Sequence, residues 1–209
     1  MNQSLLEAPA GASACYVFAH GAGAGMHHSF MAVLAQALAA RGIASLRFNF
    51  PFMEQGSRRP DPPAVAHEAI RAAVAEAARR MPGLPLFAGG KSFGGRMTSQ
   101  AQALAPLPHV RGLVFVGFPL HPAGKPSVER AKHLADVQIP MLFLQGTRDA
   151  LAEVELVLET TAKLGERATL HVVEGADHAF HVLARSGRTN AQVLDDLADT
   201  MAQWMANLA

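Results

Sequence analysis

Six short runs of apolar and small residues, all but one followed by a stretch with helical spacing, leave this chain very few architectures. Cys15–Ala19, Ile43–Phe48, Leu84–Ala88, Gly112–Val116 and Met141–Leu144 are nearly continuous rather than alternating. That is the pattern of parallel strands covered on both faces. Thr169–Val173 alternates slightly more and reads as a strand nearer an edge. Helices are predicted over Ser29–Arg41, from Asp61 as N-cap to Pro82-Gly83, over Phe93–Leu104, over Ala150–Leu164 and over Asn190–Leu208. Regular alternation of the two element types calls for βαβ units. The expected fold is a three-layer α/β/α sandwich around a mostly parallel sheet of about six strands. At 209 residues, all of 1–209 is read as one domain.

Composition excludes several classes of function. Half the residues are apolar and 17% are charged, which argues against a disordered chain. The formal net charge is +1, with Lys and Arg scattered, so no footprint for a nucleic acid is expected. Cys15 is the one cysteine and lies in an apolar run, where a buried thiol is expected and no intrachain disulfide can form. Met1–Ala12 lacks a basic and then apolar leader, and no stretch approaches the ~20 apolar residues of a membrane span. A cytoplasmic protein without membrane contact is expected. His27-His28 point apart on a helix and find no third ligand by spacing, so no metal is expected.

Four loops carry the chemistry, and each follows a predicted strand. Gly90-Lys91-Ser92-Phe93-Gly94 fits G-x-S-x-G between the run Leu84–Ala88 and a helix. In that setting a sharp strand-to-helix turn exposes the serine hydroxyl, and the glycines keep side chains out of the turn. A phosphate-loop reading of Gly-Lys-Ser fails, because Pro85 stands where that motif needs glycine. His20-Gly21-Ala22-Gly23-Ala24-Gly25 suits a loop that presents a backbone amide to an oxyanion. Ala22 is the first choice there, with Gly21 and Gly23 as rivals, and the amide of Phe93 supplies the second donor.

Asp149 closes Gln145-Gly146-Thr147-Arg148-Asp149 after the run Met141–Leu144, and His178 sits in Glu174-Gly175-Ala176-Asp177-His178 after Thr169–Val173. Ser92, His178 and Asp149 are therefore the expected nucleophile, base and orienting acid. Asp177 adjoins His178 in sequence, so its side chain should diverge and it ranks below Asp149. His20, His171 and His181 are read as structural. The reaction implied is acyl transfer from a small or exposed ester or thioester to Ser92, without a cofactor. The segment Phe118–Leu134, about 17 residues, is too short for a large cap, so an open cleft is expected. Gly21, Gly23, Lys91, Glu54, Arg58 and Arg148 are candidate substrate contacts.

On these residues, together with Arg47-Phe48-Asn49-Phe50-Pro51 and Gly117-Phe118-Pro119-Leu120-His121-Pro122, the chain resembles the α/β-hydrolase superfamily. More narrowly, it resembles a lidless, dienelactone-hydrolase-like group of small bacterial proteins. The resemblance implies a capless hydrolase fold and the chain order Ser, Asp, His. Dienelactone hydrolases use cysteine where this chain has Ser92, so a lactone substrate does not carry over. Eukaryotic relatives of the narrower group include a chromatin-complex subunit. A catalytically silent adaptor on the same fold is therefore the alternative expectation.

Overall fold

The computed structural model of the chain describes residues 3–57 and 59–209. Its strands are β1 (Ser4–Glu7), β2 (Ala14–Ala19), β3 (Ile43–Phe48), β4 (Leu86–Lys91), β5 (Val110–Val116), β6 (Met141–Gly146) and β7 (Ala168–Val173). Its helices are α1 (Ser29–Ala39), α2 (Pro51–Glu54), α3 (Pro63–Arg80), α4 (Phe93–Leu104), α5 (Val154–Leu164) and α6 (Asn190–Ala206). The sheet order is β1-β3-β2-β4-β5-β6-β7, parallel throughout except that β1 runs antiparallel to β3. Seven strands among the described residues replace the expected six. The extra one, Ser4–Glu7, is only half-buried and lacks the apolar run that marks the others.

Central strands bury both faces because consecutive side chains point to opposite sides. Cys15, Val17 and Ala19 join Leu46, Phe48, Ala88 and Phe115 in one layer under α3, α4 and α5. Tyr16 and Phe18 join Met31, Leu34, Val114, Leu142 and Met201 in the other, under α1 and α6. Each fully buried Phe, Leu or Met contributes roughly 1.5–3 kcal/mol, so both layers contribute to holding the helices on the sheet. The Tyr16 hydroxyl satisfies itself in the core by donating to the Val114 carbonyl at 3.0 Å. Cys15 is buried, and that burial pushes its thiol up to about 11. β7 is the edge strand opposite β1, in line with its looser pattern.

Two helix starts differ from expectation, for one reason. Asp61 does not cap α3, because its Oδ2 accepts the Phe52 amide at 3.0 Å and Pro62 takes the cap position. Helix α5 starts at Val154 rather than Ala150, because Asp149 accepts the Leu151 amide at 2.8 Å and turns the chain first. In both places a carboxylate side chain accepts a backbone amide ahead of the helix. Between β5 and β6 the described chain forms only a short 3₁₀ segment, Glu129–Asp136, so no cap covers the sheet's carboxyl end.

Candidate active site

The parallel strands β2, β4, β6 and β7 all end at one rim of the sheet, and each delivers one of the four loops singled out from sequence. At the end of β4, Ser92 adopts φ 51° and ψ −115°, a left-handed conformation that a residue with a Cβ avoids unless the surroundings enforce it. The enforcement is visible. The Ser92 amide donates to the Val116 carbonyl at 3.1 Å, and the Ser92 carbonyl accepts the Arg96 amide at 3.1 Å to open α4. A Cβ on Gly94 would come within 2.6 Å of the carbonyl oxygens of both Ala19 and His20. Glycine there lets α4 dock against the end of β2.

Ser92 Oγ lies 2.9 Å from His178 Nε2, and His178 Nδ1 lies 2.7 Å from Asp149 Oδ2. The Asp149 side chain is fully buried, while that of His178 is 27% exposed. Gln145 Nε2 donates to Asp149 Oδ2 at 2.6 Å, and Oδ1 takes the Leu151 amide. Burial pushes the Asp149 carboxyl up, but the hydrogen bond and charge of His178, the Leu151 amide and the Lys91 charge outweigh it and hold it below its ordinary value. A carboxylate that stays ionised requires a proton on His178 Nδ1. The Nε2 lone pair is then left facing the serine hydroxyl.

Asp177 turns elsewhere, as its adjacency to His178 predicts. Its Oδ1 accepts the amides of Ala179 and His181, each at 2.9 Å, and so shapes the loop that carries His178.

The loop after β2 is fixed by His20, which is fully buried. The Phe50 amide donates to His20 Nε2 at 3.1 Å, so the ring proton sits on Nδ1 and is donated to the Gly21 carbonyl at 2.7 Å. Burial lowers the His20 pKa and keeps the ring neutral, which this tautomer requires. Because the peptide unit is planar and trans, a Gly21 carbonyl drawn toward His20 leaves the Ala22 N–H pointing the opposite way. Among the described residues neither the Ala22 nor the Phe93 amide donates a hydrogen bond within the protein. For Phe93 that follows from its place in the first turn of α4.

Lys91 is drawn inward. Its ammonium donates to the His178 carbonyl and lies 5.7 Å and 5.4 Å from the ring centres of Phe30 and Phe180. Burial lowers its pKa to about 8, against the opposing charges of Asp149 and Asp177. Glu54 and Arg148 do not reach the serine: Glu54 accepts the Gln3 amide, and Arg148 donates to the Gly175 carbonyl at 3.2 Å. Arg58 lies outside the described residues.

Two cavities flank Ser92. One, of about 760 Å³, runs between the loop after β2, α1 and α6, with Phe30, Val33, Phe180 and Leu194 forming an apolar wall. Gly21, Gly23 and Lys91 also line it. The other, of about 380 Å³, lies over α4 and includes Arg96, Arg130, Pro119 and Asp61. Ala22, Ser92 and Leu151 border both. Sequence reasoning missed Gln145, Phe30, Phe180, Arg96 and Arg130. Of these only Gln145 carried a local signal, as the last side chain before the glycine that ends β6.

A second serine–histidine pair is built differently. Ser99 Oγ and His133 Nε2 are 2.7 Å apart, but Ser99 is fully buried and also donates to the Arg96 carbonyl at 2.9 Å. Its one proton is thereby used, so His133 is the donor. Neither residue borders either cavity beside Ser92. Among the described residues no cluster of three potential metal ligands occurs, and no helix is long and apolar enough to cross a membrane.

Residues 12–206 match the sequence profile of the family described as the alpha/beta hydrolase domain. Three solved structures illustrate the fold. An alpha-beta serine hydrolase homologue from Coxiella burnetii is 22% identical, with a TM-score of 0.76 over 99% of this chain and 91% of that one. A dienelactone hydrolase from Anabaena variabilis is 20% identical, with a TM-score of 0.77 over 98% and 91%. A serine hydrolase without a lid from Xanthomonas campestris is 22% identical, with a TM-score of 0.73 over 96% and 88%. With its profile matched from β2 to the end of α6, this chain belongs to the α/β-hydrolase family.

Proposed function

We propose that this protein is a one-domain serine hydrolase that cleaves a small or exposed ester or thioester through an acyl-enzyme on Ser92. The observation that carries this reading is the unbroken chain Ser92 Oγ, His178, Asp149 at 2.9 Å and 2.7 Å, opening on two cavities. His178 Nε2 takes the Ser92 proton as Oγ attacks the carbonyl carbon. Negative charge then gathers on the carbonyl oxygen, where the amides of Ala22 and Phe93 donate and the α4 N-terminus adds its dipole. Collapse expels the alkoxide or thiolate, which takes the proton from His178. Water, deprotonated by the same nitrogen, attacks the acyl-enzyme and releases the acid with Ser92 reprotonated.

Supply of two oxyanion donors matters because loss of one typically raises the barrier by about 2.7–4 kcal/mol. The absence of a cap between β5 and β6 supports substrates that need no deep enclosure.

Labelling by a fluorophosphonate probe tests the reading. Wild type and Ser99→Ala are expected to react and Ser92→Ala to stay blank. A folded wild type that is not labelled would refute the hydrolase and favour an adaptor. Labelling lost only in Ser99→Ala would move the nucleophile to the buried pair.

A further inference from the structure

The second cavity beside Ser92 has an unusual electrostatic composition for a chain of net charge +1. Arg96 projects from α4 one turn after Ser92, and Arg130 comes from the 3₁₀ segment Glu129–Asp136. Both line this cavity together with Ser92. Among the described residues, neither guanidinium forms an ion pair, and Arg96 Nε is buried without a hydrogen-bond partner. Other arginines find partners in two ways: Arg41, Arg80 and Arg188 pair with Asp195 and Asp199, Glu76 and Asp196, while Arg71, Arg111, Arg148 and Arg167 donate to backbone carbonyls. Arg47 also has an unbonded Nε, but Glu7 and the Met26 carbonyl hold its other nitrogens.

Two like charges facing one cavity repel each other, so an anion bound between them would be favoured. Burial lowers the Arg96 pKa and the Arg130 charge lowers it further, as expected of a pair that lacks a counterion. Asp61 is the one carboxylate bordering the cavity, and its Oδ2 is engaged by the Phe52 amide. No acidic side chain occupies the first turn of α4, so the positive end of that helix is not offset there. The opposite cavity presents Phe30, Val33, Phe180 and Leu194.

We propose that Arg96 and Arg130 form an oxyanion-binding subsite, so that the preferred ester carries a carboxylate or phosphate on the arm over α4 and an apolar group on the other. This rests on Ser92 as nucleophile. Two planar guanidinium forks fit either anion, and neither the hydrolytic step nor its proton balance changes. The anion fixes which way the ester lies across Ser92.

The test compares kcat/KM within two ester pairs, each normalised to its rate of hydroxide hydrolysis. The mono-p-nitrophenyl ester of adipic acid against p-nitrophenyl hexanoate charges the acyl arm, and 4-butyryloxybenzoate against its methyl ester charges the leaving arm. In one pair the anion is expected to be favoured about tenfold, and Arg96→Gln or Arg130→Gln should each remove most of that ratio. Arg130→Glu should reverse it in a protein whose melting is unchanged. A preference for the anion in neither pair, or one that survives all three substitutions, overturns the subsite.

If no ester is turned over and the probe does not label, the hydrolase reading has failed on its own. The subsite is then read by calorimetric titration of wild type with monomethyl adipate and with inorganic phosphate. Saturable heat that Arg130→Glu abolishes supports it for whichever anion binds, and absence of heat with both overturns it.

Discussion

Asp149→Asn removes one charge and changes almost no volume, so its effect isolates what the carboxylate does. In the wild type Asp149 Oδ2 accepts from His178 Nδ1 at 2.7 Å and from Gln145 Nε2 at 2.6 Å, while Oδ1 accepts from Leu151. An amide can replace acceptors on only one side. If its oxygen stays with Leu151, its NH₂ faces Gln145 and His178, and the ring must present a lone pair on Nδ1 and carry its proton on Nε2. The face toward Ser92 then holds a hydrogen where a base is required. Wrong-tautomer substitutions of this kind lower turnover about 10⁴-fold, equivalent to about 5.5 kcal/mol of barrier. Asp177→Asn is the control, since an asparagine oxygen can still accept from Ala179 and His181, and turnover should stay within about threefold. Steady-state kcat/KM on p-nitrophenyl butyrate, with thermal melts to confirm folding, measures both. An Asp149→Asn enzyme within tenfold of wild type, or a larger loss in Asp177→Asn, would refute the assignment of the orienting acid.

Two further substitutions probe buried bases near the site. Lys91→Met keeps the stem between Phe30 and Phe180 but removes the donor to the His178 carbonyl; a charged hydrogen bond of about 1.5–3 kcal/mol is lost, and kcat should fall about tenfold with KM little changed. Wild type should also lose activity as pH rises through about 8, where Lys91 gives up its proton, and that limb should be missing from Lys91→Met. His133 is lowered from 6.5 to about 4, first by burial and then by the Arg96 charge, so the unfolded chain takes up its proton before the folded one does. Stability linked to His133 is therefore full above pH 6.5 and falls as pH drops toward 4, by about 2 kcal/mol after allowance for partial exposure. Urea melts of His133→Gln across that range should show a correspondingly shallower loss, and parallel curves for the two proteins would sink the idea.

What could be read from the sequence follows from how local its causes are. The parallel strands declare themselves because burial on both faces demands nearly continuous apolar runs, whereas β1 is half-buried, pairs with β3 in a register that sets Leu5 opposite Arg47, and leaves no such trace. Likewise Ser92, Asp149 and His178 are legible by position, each just beyond a strand end, and the structure brings the three within hydrogen-bond distance. Glu54 and Arg148 sit on equally suitable loops, but which loop charges turn inward depends on backbone partners that spacing does not encode. Arg96 and Arg130 are 34 positions apart and meet only because the 3₁₀ segment packs on α4. The apolar wall is non-local in the same way: Phe30 and Leu194 come together through the packing of α1 against α6.

Strain and recognition at this rim have a common origin in the contact between β4, α4 and the end of β2. Ser92 is held at φ 51°, a conformation that costs about 1–3 kcal/mol, and the surrounding fold must offset it. Gly90 pairs with Ala19 in the sheet, and Gly94 meets the carbonyls of Ala19 and His20 where any side chain would collide. The close approach that enforces the turn at Ser92 also carries the loop beginning at His20 up to it, so that Ser92 and the Ala22 amide are positioned by one packing arrangement. A Cβ at Gly94 would press on both at once. Its consequences would therefore reach the rim through the loop beginning at His20 as well as through Ser92.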